Sequence, residues 1–378
     1  MQIIKGKYNI AKVMIDTIDD TTREQIQGFV NHPAFAKKRI AIMPDCHAGS
    51  GSCIGFTMQL GDYIMPQIVG VDIGCGMLAV NFGKIDLDPV KLDEYIKGNI
   101  PAGHEINDDP FLATSERWNY FPSVCELAGI EQRKALRAVG SLGGGNHFIE
   151  ADHDSNGNTW IVIHSGSRNF GKRIADYYQA KAREACDEYF ITPEKDMEFL
   201  PRSNEYAGDY LRAMEVAQHF AHVNRWIMMN RIRDGFALME IESVESVHNY
   251  IDFTDKIIRK GAISSHEGEM CIIPFNSADG SALCQGLGNS EWNYSAPHGA
   301  GRLMSRTKAF AELDYKEYQA RLSENGVYSS TANSSTLDEA PMAYKPMADI
   351  LSAISPTVEV VSMLKPFYNF KSSEGGRR

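Results

Sequence analysis

At 378 residues, with 43% hydrophobic and 23% charged content, the chain can bury a large core and has the make-up of an ordinary globular enzyme. Its net charge of −11 argues against a nonspecific duplex-binding protein, which would be basic, but leaves room for a local basic pocket. Seven cysteines, an odd number with no CxxC pair, argue against a disulfide framework. No apolar run is long enough to span a bilayer, and the N-terminus lacks the apolar core of a secretory signal, so the cytoplasm is the expected location.

The first forty residues read as a strand, an acidic turn over 16–20 and a short helix over 21–30. Residues 39–43 read as an apolar strand that runs into an irregular loop rich in Gly and Ser. Residues 68–80 read as two β-segments interrupted by a glycine-rich bend that holds Asp72 and Cys75. Helices are expected over 91–97 and 131–138, and a strand buried on both faces over 159–164. Long helical patterns cover 169–188 and 206–233, and β character returns over 240–248 and 270–274. Residues 276–301 read as a long polar loop, followed by a helix over 302–322, a helix over 347–353 and a strand over 358–364. Strands and helices mix without regular βαβ alternation. The expected fold class is therefore α+β, with mixed β-sheets and surrounding helices.

His298-Gly299-Ala300-Gly301-Arg302 carries the sharpest chemistry. Imidazole is a good nucleophile and a good leaving group, glycines admit a phosphate to the backbone, and arginine holds it with a fork of donors. Asp72 and Cys75 sit three residues apart in a tight bend. Taken alone they fit a capping aspartate beside a buried cysteine better than a carboxylate and a bridging thiolate on one metal site. Gly143-Gly144-Gly145-Asn146-His147-Phe148 makes an anion cradle with a ligand histidine, and Glu150 could accept from the paired N–H donors of guanine; the alternative is a glycine turn opening a strand. His164 ends a buried strand with Arg168 four residues on, placed for a phosphate, and His248 ends another strand; each also fits a structural histidine. Asp45 and His47 lie in a glycine-rich loop as supporting partners or substrate contacts. His219 and His222 share a helix face at an i, i+3 spacing but lack an HExxH context, which favours packing or surface roles.

Together these segments resemble the RtcB family of RNA-splicing ligases. The motifs are Met43-Pro44-Asp45-x-His47-x-Gly49, Gly70-x-Asp72-Ile73-x-Cys75-Gly76, Gly140-x-Leu142-Gly143-x-Gly145-Asn146-His147-Phe148-x-Glu150, His164-Ser165-Gly166-Ser167-Arg168, His248-Asn249, Arg259-Lys260-Gly261-Ala262 and the His298 motif continued through Met304-Ser305-Arg306. They run in family order over nearly the whole chain.

The resemblance implies a GTP- and manganese-dependent ligase, a single catalytic domain over 1–378 built around a central cleft for metal and nucleotide. Such an enzyme joins RNA ends bearing a 2′,3′-cyclic phosphate or 3′-phosphate to 5′-hydroxyl ends. By position, Asp72, Cys75, His147, His164 and His248 would ligate two manganese ions, with Cys75 bridging, and His298 would be the guanylated nucleophile. Asn146, Glu150, Ser277, Ala300, Gly301 and Lys371 would contact the nucleotide, and Arg168 the RNA phosphate. An activator protein is a further possible partner. Better-known members carry Gly-Ser-Met-Gly where this chain reads Pro274-Phe275-Asn276-Ser277-Ala278-Asp279-Gly280-Ser281. Two other readings stand beside it: a two-metal phosphodiesterase or phosphatase that uses the same ligands without His298, and a non-catalytic binder of RNA ends.

Overall fold

The structure, a computed structural model, describes residues 1–188 and 196–372; the expected single domain over 189–195 and 373–378 lies outside the described residues. A six-stranded sheet runs in the order Gln2–Lys5, Ile10–Val13, Ile40–Ile42, Phe56–Gln59, Ile257–Lys260 and Asn249–Asp252. A seven-stranded antiparallel sheet runs in the order Glu242–Val247, Gly76–Asn81, Thr159–Ser165, Phe148–His153, Val358–Lys371, Gly280–Gly286 and Met270–Asn276. Its two edges approach each other, where the Ile272 N–H donates to Ser246 Oγ at 3.1 Å. This mixture is the expected α+β class.

Helices pack on the sheets through the apolar faces that the periodicity marked. Asp20–Asn31, whose N-cap Asp19 accepts from the Thr22 N–H, buries Ile26, Phe29 and Val30 against the first sheet. The long helix Glu205–Gly235 turns Tyr210, Met214 and Ala217 toward that core and Met228, Met229 and Ile232 toward the second sheet. There they meet Leu78, Val80, Ile161 and Ile163. Each fully buried side chain of this size contributes about 1.5–3 kcal/mol. Every residue of Thr159–Ser165 is buried, as expected of a strand covered on both faces. Among the described residues no helix is long and apolar enough to cross a membrane.

Four expectations are corrected. Residues 66–69 form a helical turn, with Pro66 in its first positions, so only Gly76–Asn81 after the glycine bend is a strand. The expected loop over 276–301 holds the strand Gly280–Gly286, a short 3₁₀ turn Ser290–Trp292 and the strand Ser295–Pro297. Small residues conceal the first of these: Ser281, Ala282, Leu283 and Cys284 are buried because strands pair on both sides. The expected helix over 302–322 is two helices, Arg306–Glu312 and Tyr315–Glu324. Leu313 is extended between them, and the Asp314 side chain accepts from the N–H groups of Lys316 and Glu317 to start the second. The last strand also outruns its expected end at 364 and continues to Lys371, with a register shift at Pro366.

Candidate metal centre and nucleotide cavity

The second sheet delivers the ligand candidates from the ends of its strands. Asp72 and Cys75 come from the bend before Gly76–Asn81, and His147 from the turn before Phe148–His153. His164 sits near the end of Thr159–Ser165, and His248 directly follows Glu242–Val247. Antiparallel pairing sets Phe148 opposite His164 and Met77 opposite His164, so these ends share one edge of the fold.

Two buried polar residues of the long helix hold the loops together. Asn224 Oδ1 accepts from the N–H groups of Gly140 and Ser141 at 2.7 and 3.1 Å, while its Nδ2 donates to Ser141 O, Ser165 Oγ and Gly166 O, each at 3.1 Å. Arg225 donates to Gly74 O at 2.9 Å and Ser165 O at 2.7 Å, and is anchored by Glu245. Gly166 is required beside them, because a Cβ there would lie 2.1 Å from the Asp72 carboxylate.

The donor atoms converge. Cys75 Sγ lies 3.3 Å from His164 Nε2 and 3.4 Å from His147 Nε2. His164 Nε2 is 3.3 Å from His248 Nε2, and His147 Nε2 is 3.0 Å from Asp72 Oδ2. Two groups of three meet here, Cys75–His164–His248 and Asp72–Cys75–His147, with the thiol common to both. His164 Nδ1 faces the Asn146 carbonyl at 2.9 Å and His147 Nδ1 the Leu142 carbonyl at 3.0 Å. A carbonyl only accepts, so each Nδ1 carries the proton and each Nε2 presents a lone pair inward. Burial pushes His164 and His248 well below the usual histidine range, keeping them neutral. Burial, reinforced by Asp72, pushes the Cys75 thiol up, a shift that a bound cation reverses. Lone pairs gathered with too few protons between them fit a pair of divalent cations.

His298 follows the strand Ser295–Pro297, and its ring lies 4.8 Å from that of His248, centroid to centroid. Its Nδ1 is 2.6 Å from Oδ2 of the fully buried Asp45. That contact fixes the Nδ1–H tautomer and leaves Nε2 free. Gly301 takes φ +75°, and a Cβ there would lie 2.2 Å from the Asp45 carbonyl oxygen; the glycine is what lets the two loops touch. Lys345 donates to the carbonyls of Pro44 and Cys46 at 3.0 and 2.9 Å, pinning the loop on both sides of Asp45.

A cavity of about 320 Å³ opens on His298. Asn146, Glu150, Ser277, Ala300, Gly301 and Lys371 all line it, together with His47, Arg302, Arg306, Glu339, Tyr344 and Asn369. The altered segment over 274–281 therefore still contributes to the wall. Asn369 Nδ2 donates to Glu150 Oε2 at 2.7 Å across the strand pair. Burial pushes the neighbouring carboxyls of Glu150 and Asp152 up. On the far side of the ligand cluster a groove of about 1030 Å³ is lined by Asp72, His147, Asn146, Arg168, Lys134, Lys172 and Arg173. Arg168 is partly committed there, donating to Gly103 O at 2.6 Å and Ser141 Oγ at 3.2 Å.

The structure thus gathers Asp72, Cys75, His147, His164, His248 and His298 at one centre. Asp45 and His47 join them as loop partners, and His219 and His222 lie apart on the long helix. The sequence reading missed Glu339, Tyr344, Lys345 and Asn369, and quoted Arg306 in the His298 motif without a role. Asn369 had a signal: on a strand reaching Lys371, residues two apart share a face.

Comparison with known proteins accords with this geometry. The RNA-splicing ligase RtcB of Escherichia coli strain K12 is 33% identical over 92% of this chain and 93% of its own length. A second Escherichia coli protein, RNA-splicing ligase RtcB2, is 26% identical over 95% of this chain and 94% of its own length. The tRNA-splicing ligase RtcB of Aeropyrum pernix is 27% identical over 82% of each chain. A family model described as tRNA-splicing ligase RtcB matches residues 25–121 and 124–372, most of the chain, and on that match the chain belongs to the RtcB family.

Proposed function

We propose that this chain is an RNA ligase that acts as one catalytic unit. It joins 2′,3′-cyclic phosphate or 3′-phosphate ends to 5′-hydroxyl ends, using GTP and two manganese ions, through a GMP adduct on His298. The observation that carries the reading is the single cavity that has Glu150 and Lys371 on its wall, and His298 beside the ligand cluster.

Asp72, Cys75, His147, His164 and His248 would hold the two ions, with Cys75 common to both sets. When bound, such ions neutralise phosphate charge and favour departure of an anionic leaving group. Glu150 accepts from the N1–H and N2–H edge of guanine, and Asn369 holds one of its oxygens in place. Asn146 and the Ala300–Gly301 backbone approach the phosphates. His298 Nε2 attacks the α-phosphorus of GTP in line: the P–N bond forms as the bond to pyrophosphate breaks, and pyrophosphate leaves. Asp45 accepts from Nδ1–H throughout and stabilises the positive charge that develops on the ring. An oxygen of the RNA 3′-phosphate, first released from any cyclic form by water, then takes GMP from His298 as the P–N bond breaks. The 5′-hydroxyl next attacks the activated 3′-phosphate, forming the new phosphodiester and releasing GMP. Arg168 holds the RNA phosphate, in a groove that Lys134, Lys172 and Arg173 make locally basic within an acidic protein.

Incubation with α-labelled GTP and manganese tests this. We expect acid-labile label on the wild-type chain, none on His298→Ala, and transfer of the label to an RNA 3′-end. Hydrolysis of RNA ends without protein label would instead support a two-metal phosphodiesterase. End-specific RNA binding that survives Cys75→Ala and His298→Ala, without turnover, would support a binding protein.

A further inference from the structure

Glu339 stands at the end of the 3₁₀ segment Ser334–Glu339 and is 2% exposed, yet four polar partners converge on it. Its Oε1 meets Arg306 Nη1 at 2.6 Å and Arg302 Nη1 at 3.2 Å. Its Oε2 accepts from Lys371 Nζ at 2.9 Å and from the Tyr344 hydroxyl at 2.5 Å. Both oxygens are therefore saturated, and the carboxylate has no lone pair left to offer an occupant of the cavity.

Its partners are differently placed. Arg302, Arg306, Lys371 and Tyr344 all line the cavity that holds His298. Lys371 Nζ uses one of its three donors on Glu339 and stands 5.0 Å above the Phe148 ring. Arg302 lies over the Tyr344 ring at 5.1 Å. Arg306 also pairs with Asp338. Three cations against the carboxylates of Glu339 and Asp338 leave this corner of the wall net positive, as the phosphates of an anionic occupant require.

We infer that Glu339 is a positioning residue of the nucleotide cavity: it gathers Lys371, Arg302 and Arg306 into one rigid wall and fixes where their charge meets a bound nucleoside triphosphate. The inference rests on the reading of this cavity as the GTP site. Long cationic side chains lose much rotamer freedom when they order around a ligand. Glu339 removes that cost by ordering them beforehand. It acts on binding, while Asp45 acts on the nucleophile.

The test compares wild type, Glu339→Gln, Glu339→Asp, Lys371→Met and the double variant Glu339→Gln/Lys371→Met. GTP affinity is read by calorimetric titration with manganese, and single-turnover labelling of His298 is read at saturating GTP. Loss of a charge-assisted contact predicts a GTP dissociation constant about 10- to 100-fold weaker for Glu339→Gln. The labelling rate at saturation should stay within about 3-fold of wild type, because the nucleophile is untouched. Glu339→Asp should recover part of the affinity, and the double variant should lose less than the sum of the two single losses, since part of the effect of Glu339 runs through Lys371. A lower melting temperature with unchanged GTP affinity would show a purely structural ion pair and overturn the inference. So would additive losses in the double variant. If wild type binds no GTP, the reading of the cavity falls together with this inference. If wild type binds and labels while Glu339→Gln binds equally well, only the inference falls.

Discussion

Asp45 shows how much a single side chain decides. Its carboxylate is fully buried, and its Oδ2 sits 2.6 Å from His298 Nδ1. An aspartate there accepts the Nδ1 proton and stabilises the ring as it becomes cationic. An asparagine of the same shape offers an uncharged amide, which stabilises the cationic ring far less and can turn its donor face to Nδ1 and reverse the tautomer. Asp45→Asn should therefore slow labelling of His298 by GTP by about 10²- to 10⁴-fold, by analogy with the serine-protease triad. GTP affinity should remain within about 3-fold, since Asp45 lies behind the ring and is not among the residues on the cavity wall. Equal labelling rates in single-turnover experiments would show that the contact serves only to pack the loop.

Elements show both how far the sequence was legible and where it stopped. The long helix was plain from its periodicity, yet Asn224 and Arg225 looked like ordinary positions on its face. Their role exists only when three distant loops arrive to be bound. The candidate ligands could be picked out because each sits at the end of an apolar strand or in a glycine bend. The strand Gly280–Gly286 was not, because Ser281, Ala282 and Cys284 are apolar enough to bury but too small to mark a periodicity. Glu339 was hidden for the opposite reason: a charged side chain reads as solvated until its partners are known. Lys260 gives a case that can be measured. It ends the strand Ile257–Lys260 and reaches into the loop over 44–55, donating to the carbonyls of Ser50 and Ser52. Burial depresses its amine to about 8. An unfolded lysine keeps its proton to about 10.4. Between these values the unfolded chain binds more protons, so the stability of the native state rises with pH across that window through this group alone. The rise amounts to about 3 kcal/mol at most. Unfolding of wild type and Lys260→Met, followed from pH 7 to 10.5, should show the stability gap shifting toward wild type as pH rises. A gap that stays constant would mean that the amine is not desolvated.

At the scale of the whole molecule, the ligand centre is where separate parts of the chain are made to agree. Residues near 72, 147, 164 and 248 come from four strand ends, and the loops carrying Asp45 and His298 close over them. His147 Nε2 stands 3.0 Å from Asp72 Oδ2 and 3.4 Å from Cys75 Sγ, and His164 Nε2 stands 3.3 Å from both Cys75 Sγ and His248 Nε2, an arrangement that only the surrounding fold holds together. A cation that binds this set binds the native state and not the unfolded chain, so its affinity becomes stability. At a free manganese concentration 100 times the dissociation constant, the native state gains about 2.7 kcal/mol per site. Manganese should therefore raise the melting temperature by several degrees and a chelator should reverse it, whereas Cys75→Ala, which takes a donor from both sets, should abolish most of the shift. The effect should also be local in hydrogen exchange. Amides around residues 72–76, 143–147 and 164–168 should gain protection, while those over 159–163, buried within the strand Thr159–Ser165 and expected to exchange through global unfolding, should gain only what the rise in total stability gives. Protection that rises uniformly along the chain would mean that manganese acts on the protein as a whole. A melting temperature indifferent to manganese would mean that these five side chains hold no such ion.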